Sequence, residues 1–442
     1  MRRVVYRLLR RFSVLDRWLR ERLTPAGWLV LGAAGAAAAG GIDLNQTLTA
    51  QAFTFLSCLL LLAFLASCAF RARVHISRQL PRYATAGEDF IYRVTVTNRG
   101  DTPLVGATLA ERFRDPRPGY EEWRTTREPG EERRNWFDRK VGYFRWRWLI
   151  ERRIPEQPTE APLPALAPGE SLVLRLAFTP RRRGRIELAG LNAARVDPLG
   201  LFKGLARVPL EARVVALPKR YRIPALALPG ARKFQQGGVS LSASIGDSEE
   251  FLSLRDYRPG DPLQRVHWKS FARTGKPIVK EYQDEFFERH ALVLDTGTLR
   301  GEDAAFEEAV AVAASFVYTI DTQECLLDLL FVGGAVKTYT TGRGQSNAEH
   351  MLEVLAGVQP SPPEEFGTLA RAVLARHSTL SSMIAVLLAW DEPRRQFIRQ
   401  ARASGLEIRA LLLCAAGETA PVEPGLLVLR PGAIESGLAQ LR

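Results

Sequence analysis

A chain of 442 residues is too long for a single hydrophobic core and divides into two or three domains. Its 46% hydrophobic and 25% charged residues exclude wholesale disorder. The net charge of +13 calls for an anionic counterpart, lipid headgroups or nucleic acid, between which composition does not choose.

Residues 1–25 form a basic segment, with Arg2, Arg3, Arg7, Arg10, Arg11, Arg17, Arg20 and Arg22 against only Asp16 and Glu21. Two uncharged apolar stretches follow, residues 26–42 and 52–70, each close to the roughly 20 residues that cross a bilayer. Residues 43–51 are long enough to turn a helical hairpin, and Gly32, Ala36 and Gly40 offer a small-residue packing face. Arginines flank both outer ends, including Arg71 and Arg73, so the positive-inside rule places both ends in the cytoplasm. The expectation is a two-pass protein of the plasma (inner) membrane, with membrane lipid as a partner. The alternative is a cleaved signal at Ala50-Gln51-Ala52 and an exported binding protein. Four cysteines show neither metal-ligand spacing nor a disulfide framework.

Residues 74–218 read as an all-β, Ig-like sandwich. Phe90 to Asn98 alternates aromatic and β-branched residues before an Asn-Arg-Gly-Asp turn, and short strand patterns recur at 171–178, 185–188 and 210–217. An insertion at about 114–168 interrupts it. Within that insertion, residues 143–152 set Phe144, Trp146 and Trp148 against Arg145 and Arg147 with period two. This reads first as a sandwich strand, with a membrane-facing edge or nucleic-acid stacking as alternatives.

Residues 219–289 form a linker, and from His290 strands alternate with helices. Strand patterns at 291–295, 325–332, 336–340, 383–389, 408–413 and 426–429 are separated by helical ones, giving an α/β domain at 290–442 with a mainly parallel sheet. Ligands of such sheets bind at the carboxyl ends of strands, which directs attention to Asp295, Thr368 and Asp391.

The linker carries Phe251-Leu-Ser-Leu-Arg255-Asp256-Tyr257-Arg258-Pro259-Gly260-Asp261, continuing through Arg265-Val266-His267-Trp268-Lys269 to Ala272-Arg273. Together with Asp197-Pro198-Leu199-Gly200-Leu201-Phe202, this resembles the bacterial proteins that carry the domain of unknown function 58 (DUF58). The resemblance implies an α/β domain similar to the von Willebrand factor A module and a partnership with a MoxR-type AAA+ ATPase. It also implies a cation site built on an Asp-x-Ser-x-Ser loop, a Thr and an Asp. Here Gly297 and Leu299 replace both serines, while Thr368 and Asp391 match the other positions. Two missing hydroxyls leave a hard cation short of oxygen ligands unless water, Thr296 or Thr298 substitutes. No cofactor is therefore expected, with Mg²⁺ the cation that a surviving site would take.

Enzyme signatures are missing. Asp295-Thr296-Gly297-Thr298 lacks the second Asp of a haloacid-dehalogenase phosphatase, and neither a phosphate loop nor Gly-x-Ser-x-Gly occurs. The expectation is a non-enzymatic, membrane-anchored adaptor or scaffold that works with the ATPase on client proteins. No specific nucleic acid and no small-molecule substrate are expected. A metal-dependent hydrolase using Asp295 and Asp391 is the alternative. Arg255, Asp256, Tyr257, Gly260, Asp261, Arg265, His267 and Trp268 are the expected partner-binding residues, because Arg, Tyr and Trp dominate interface energetics. An intramolecular clamp made of the same charges is the competing reading.

Overall fold

The computed structural model describes residues 2–40, 47–128, 130–156, 158–224, 249–261, 263–284, 288–298, 303–320, 325–342, 345–414, 421 and 423–441. The basic segment is one helix, α1 (Arg2–Arg22). Its last turns are laced by Arg17–Glu21 and Asp16–Arg20 pairs at i,i+4 spacing. Thr24 caps the next helix, α2 (Pro25–Gly40), through its hydroxyl on the Gly27 N–H, and Pro25 stands at the first helical position, where a missing N–H costs nothing. The third helix is α3 (Thr47–Cys68).

Among the described residues, Leu48–Cys68 is the one helix long and apolar enough to cross a membrane. At 16 residues α2 is shorter, rising about 24 Å against a hydrocarbon core of roughly 30 Å. Of the two expected spans, one is thus a helix of full spanning length and the other a shorter apolar helix packed along it. Of the hairpin turn expected at residues 43–51, residues 43–46 lie outside the described residues and 47–51 belong to the start of α3.

The sandwich follows as β1 (Val74–Gln79), β2 (Tyr83–Thr85), β3 (Phe90–Asn98) and β4 (Ala107–Phe113), then, after the insertion, β5 (Glu160–Pro162), β6 (Ser171–Phe178), β7 (Gly184–Val196) and β8 (Lys203–Leu217). One sheet runs β1-β3-β6 and the other β2-β8-β7-β4-β5, all antiparallel except β2 against β8. Alternate residues of β3 point inward, and Tyr92, Val94 and Val96 meet Leu109, Leu191 and Ala216 of the facing sheet.

The insertion holds α4 (Tyr120–Thr125), α5 (Trp136–Val141) and α6 (Tyr143–Glu151). The strand expected at 143–152 is therefore a helix. Gly142, at φ 64°, closes α5 and opens α6, and Trp146 and Leu149, three residues apart, are buried together. The two arginines of the pattern pair with carboxylates, Arg145 with Glu131 and Arg147 with Glu151 at 2.9 Å each, while two others cover the rings, Arg134 3.9 Å from Phe144 and Arg152 4.5 Å from Trp148. Tertiary packing outweighs the weak β-propensity of an aromatic run. What it packs against is α1, whose Tyr6 enters between Trp123 and Trp146 and donates to the Pro118 carbonyl at 3.1 Å.

The far end of the linker carries regular elements. Strands β9 (Glu249–Asp256) and β10 (Ile278–Asp284) pair antiparallel, with α7 (Trp268–Thr274) between them, while residues 225–248 lie outside the described residues. The α/β domain comprises β11 (Glu288–Leu294), α8 (Asp303–Thr319), β12 (Cys325–Val332), β13 (Val336–Thr341), α9 (Gln345–Gly357), α10 (Phe366–Leu374), β14 (Ser382–Leu387), α11 (Glu392–Ala403), β15 (Glu407–Leu413), β16 (Leu426–Leu429) and α12 (Ile434–Leu438). Its sheet runs β13-β12-β11-β14-β15-β16, parallel except for β13. One face carries α8, α9 and α12, and the other α10 and α11. Leu217 of β8 enters the first of these cores, and Arg183 donates to the Leu355 and Val358 carbonyls at 3.0 and 2.6 Å, fastening sandwich to sheet.

Candidate functional site

Strand order reverses around β11, whose neighbours β12 and β14 lie on opposite sides. The carboxyl ends of β11 and β14 therefore form the crevice in which such sheets hold ligands. Asp295 follows β11 directly and Asp391 follows β14, as the sequence order requires. Between them sits Arg394, which the sequence reading did not single out.

Its guanidinium forks onto Asp295, Nε to Oδ2 at 2.7 Å and Nη2 to Oδ1 at 3.2 Å, while Nη1 reaches Asp391 Oδ2 at 2.6 Å. Backbone N–H groups complete the set: Gly297 donates to Asp295 Oδ1 at 2.9 Å and Leu388 to Oδ2 at 3.1 Å. Four donors thus serve two carboxylate oxygens on a side chain that is 0% exposed. Burial alone would lower the Arg394 pKa, but hydrogen bonds and charge from Asp295, then Asp391, hold it above the ordinary arginine value. The Arg394 guanidinium also lies 4.6 Å from the Phe366 ring.

Gly297 fits this arrangement. A Cβ there would stand 3.0 Å from Arg394 Nη2 and 3.0 Å from Pro363 Cα, so a serine at this position would crowd the guanidinium. Glycine and arginine form a matched pair, since the absent Cβ leaves room for the guanidinium that bridges the two carboxylates. Thr368 does not join them. It is exposed on α10, with its hydroxyl 3.5 Å from Arg371 Nη2. The metal-ligand candidates are thus placed as Asp295 and Asp391 bridged by an arginine, with Thr368 apart and Leu299 outside the described residues. A signal for Arg394 existed in the sequence, since a basic residue in a first helical turn opposes the helix dipole and needs a local anion.

The expected partner-binding residues divide by role. Arg255 Nη1 and Nη2 both lie 2.7 Å from the Asp261 carboxylate, which also accepts from the Arg258 N–H at 2.8 Å across the Pro259-Gly260 turn. The hydrogen bond from Arg255 above all holds the Asp261 pKa down at about 2. Gly260, at φ 107°, permits the turn. Tyr257 and His267 tie the loop to the second strand through backbone bonds to Pro277 and Ile278 carbonyls, and His267 Nδ1 lies 2.6 Å from Ser270 Oγ. Asp256 pairs in register with Ile278, and Arg265 is exposed in the turn ahead of α7. The loop so fixed turns Leu263, Trp268 and Phe271 outward at 66%, 60% and 38% exposure, with the two aromatic rings edge to face. Clamp and outward face coexist: Arg255 and Asp261 are the clamp, and Trp268 is the face.

The 197–202 segment has a different task. The buried Asp197 carboxylate accepts from the N–H groups of Leu199, Leu201 and Phe202 at 2.8, 2.8 and 2.6 Å, shaping a tight loop. That loop receives the N-terminal helices. The Thr24 hydroxyl donates to the Gly200 carbonyl at 2.6 Å, and Phe202 meets Phe64 of α3 edge to face at 5.8 Å. A Cβ on Gly27 would overlap the Leu201 carbonyl oxygen, so only glycine lets α2 approach this closely.

Comparison with known proteins bears on these features. An uncharacterized protein of Bacillus subtilis, YeaD, is 26% identical over 198 residues, covering 44% of this chain and 48% of the relative. An uncharacterized protein of Mycobacterium tuberculosis H37Rv is 27% identical over 184 residues, covering 39% and 58%. The chain thus spans about half the length of the curated relatives it matches. Among solved structures, the CARDB domain of a Pyrococcus furiosus protein covers 32% of this chain and 93% of that one at 12% identity, with a TM-score of 0.16. A GH20 exo-β-N-acetylglucosaminidase from Vibrio harveyi reaches a TM-score of 0.14. Both scores are too low to carry an argument. Residues 253–403, which hold most of the β9–β10 unit and the Asp295–Arg394 pair, match the family model described as "Protein of unknown function DUF58".

Proposed function

We propose that this protein is a non-enzymatic, membrane-anchored adaptor whose β9–β10 unit docks a protein partner, of the MoxR-type AAA+ ATPase class that the family resemblance implies. The observation that carries this reading is the outward set of Leu263, on the turn after the Arg255–Asp261 fork, and Trp268 and Phe271 on α7. Exposed aromatic side chains on a preorganised turn and helix bind with little loss of conformational freedom. The von Willebrand factor A-like crevice serves as architecture, because the Arg394 fork already holds the carboxylates that a cation or a hydrolytic water would need. The hydrolase alternative is disfavoured for the same reason. The anchor is read as two-pass in the inner membrane, α2 and α3 together, with the soluble domains in the cytoplasm.

The test is retention of the ATPase by the detergent-solubilised chain, with nucleotide varied. Trp268→Ala should cost on the order of 1–3 kcal/mol in partner affinity and leave the melting temperature unchanged. Unaltered retention in the folded variant removes this face from consideration. A reporter fused after Arg442 should read as cytoplasmic, and activity on the far side of the membrane would revive the signal-peptide alternative.

A further inference from the structure

Helix α1 has two apolar sides that are differently occupied. Tyr6, Leu9 and Val5 pack into the insertion, against Trp123 and Trp146. The adjoining stripe, Val4, Leu8, Phe12 and Leu15, stays 53–65% exposed at helical i, i+4 and i+3 spacing. Next to the N-terminal end of α1, the insertion contributes Trp136 and Phe137 of α5, 65% and 64% exposed, and Arg2, Val5, Trp136, Arg139 and Lys140 line one shared cleft. Two glutamates on the same cleft have cationic partners, Glu131 bound by Arg145 at 2.9 Å and the exposed Glu132 3.8 Å from Arg127. The acidic residues of α1 are likewise paired, Asp16 with Arg20 and Glu21 with Arg17. What remains is an apolar, aromatic stripe bordered by cationic side chains.

We infer that α1 and α5 together form a second, peripheral membrane-contact surface that lies in the headgroup region of anionic lipids. Continuity identifies the occupant. The stripe runs toward Trp18 and Leu19, where Trp18 sits 6.0 Å from Phe64 and Leu19 joins the cluster made with the last turns of α3, the apolar span itself. A helix fixed beside the end of a membrane span, apolar on one side and arginine-rich beyond it, lies in the plane of the interface. Trp136 and Phe137 add the aromatic belt residues of that interface, with Lys140 stacked 4.3 Å above Trp136. Attraction of arginine and lysine to anionic headgroups supplies the charge complement. The insertion thereby acquires a role: it grips α1 through Tyr6 and holds the sandwich at a set orientation to the bilayer. This inference rests on the membrane anchor but not on the ATPase partner.

The experiment places photoreactive p-benzoylphenylalanine at Phe12, Phe137, Phe55 or Tyr318 of the full chain. Each variant is reconstituted in vesicles of phosphatidylcholine, alone or mixed with phosphatidylglycerol, and adducts are read by mass spectrometry after illumination. Phe55, 68% exposed on α3, reports the anchor itself, and Tyr318, 65% exposed on α8, reports background. Positions 12 and 137 should give lipid adducts roughly tenfold above position 318, with phosphatidylglycerol over-represented. Adducts at 55 but only background at 12 and 137 overturn this inference alone. Background at all four overturns the anchor as well, and adducts from 12 or 137 to a second copy of the chain overturn the lipid assignment in favour of self-association.

Discussion

Replacing Arg394 by Met tests the role assigned to the β11–β14 crevice. The side chain is 2% exposed and its partner Asp295 0%, so the change removes a charge and leaves a carboxylate in a site with no access to water. Two backbone N–H groups remain on Asp295, from Gly297 and Leu388, and do not neutralise it. Breaking a buried pair from one side costs about 3–5 kcal/mol, whereas an exposed pair is worth about 0–1. At roughly 2–4 °C per kcal/mol for a domain of this size, the melting temperature should fall by about 6–20 °C. The double variant Arg394→Met, Asp295→Leu removes both charges and should recover much of that loss, because the penalty lies in the orphaned carboxylate. Thermal unfolding of the solubilised chain, with and without millimolar Mg²⁺, measures each arm. Bound cation would stabilise the native state by RT ln(1 + [L]/Kd), and no such gain is expected for the unaltered protein. A loss of less than about 1 kcal/mol in Arg394→Met, or a clear Mg²⁺-dependent rise in the unaltered chain, would refute the tethered-cation reading.

Three further outcomes follow from named contacts. Burial holds the His290 pKa below its usual value, against the smaller opposing pull of Glu288, so folded protein binds fewer protons than unfolded. Stability is then fully present above pH of about 6.5 and falls as the medium is acidified below it, and urea titrations at several pH values should lose this dependence in His290→Gln. The Arg255–Asp261 clamp works in the opposite charge sense but the same pH direction. With Asp261 depressed to about 2, its contribution is present above the ordinary carboxyl pKa and lost as pH falls toward 2, and Asp261→Asn should speed amide exchange in the β9–β10 unit at neutral pH. Asp197→Ala strands three N–H groups in the loop that seats α2 and α3 and should cost on the order of 3 kcal/mol, read as a lowered melting temperature and faster proteolysis between α3 and β1.

The sequence determined the elements whose physics is local or periodic. The alternation of β3, the six strands of the α/β sheet and the uncharged run of α3 each follow from side-chain spacing, which backbone geometry reads directly. It also placed Asp295 and Asp391 at strand ends. Tertiary structure decided the rest. Residues 143–151 alternate as a strand would and form a helix, because α1 offers Tyr6 as a partner for Trp146 and no single-segment pattern contains that contact. Arg394 lies 99 residues from Asp295, and only the order of strands around β11 brings the guanidinium onto the carboxylate. The signature loop was visible as a concentration of Arg, Tyr and Trp, yet which of them clamp and which face outward depends on pairing geometry that spacing does not encode. Periodicity carries direction relative to one element, whereas a site is a relation between elements, set by which faces the folded core leaves opposite one another.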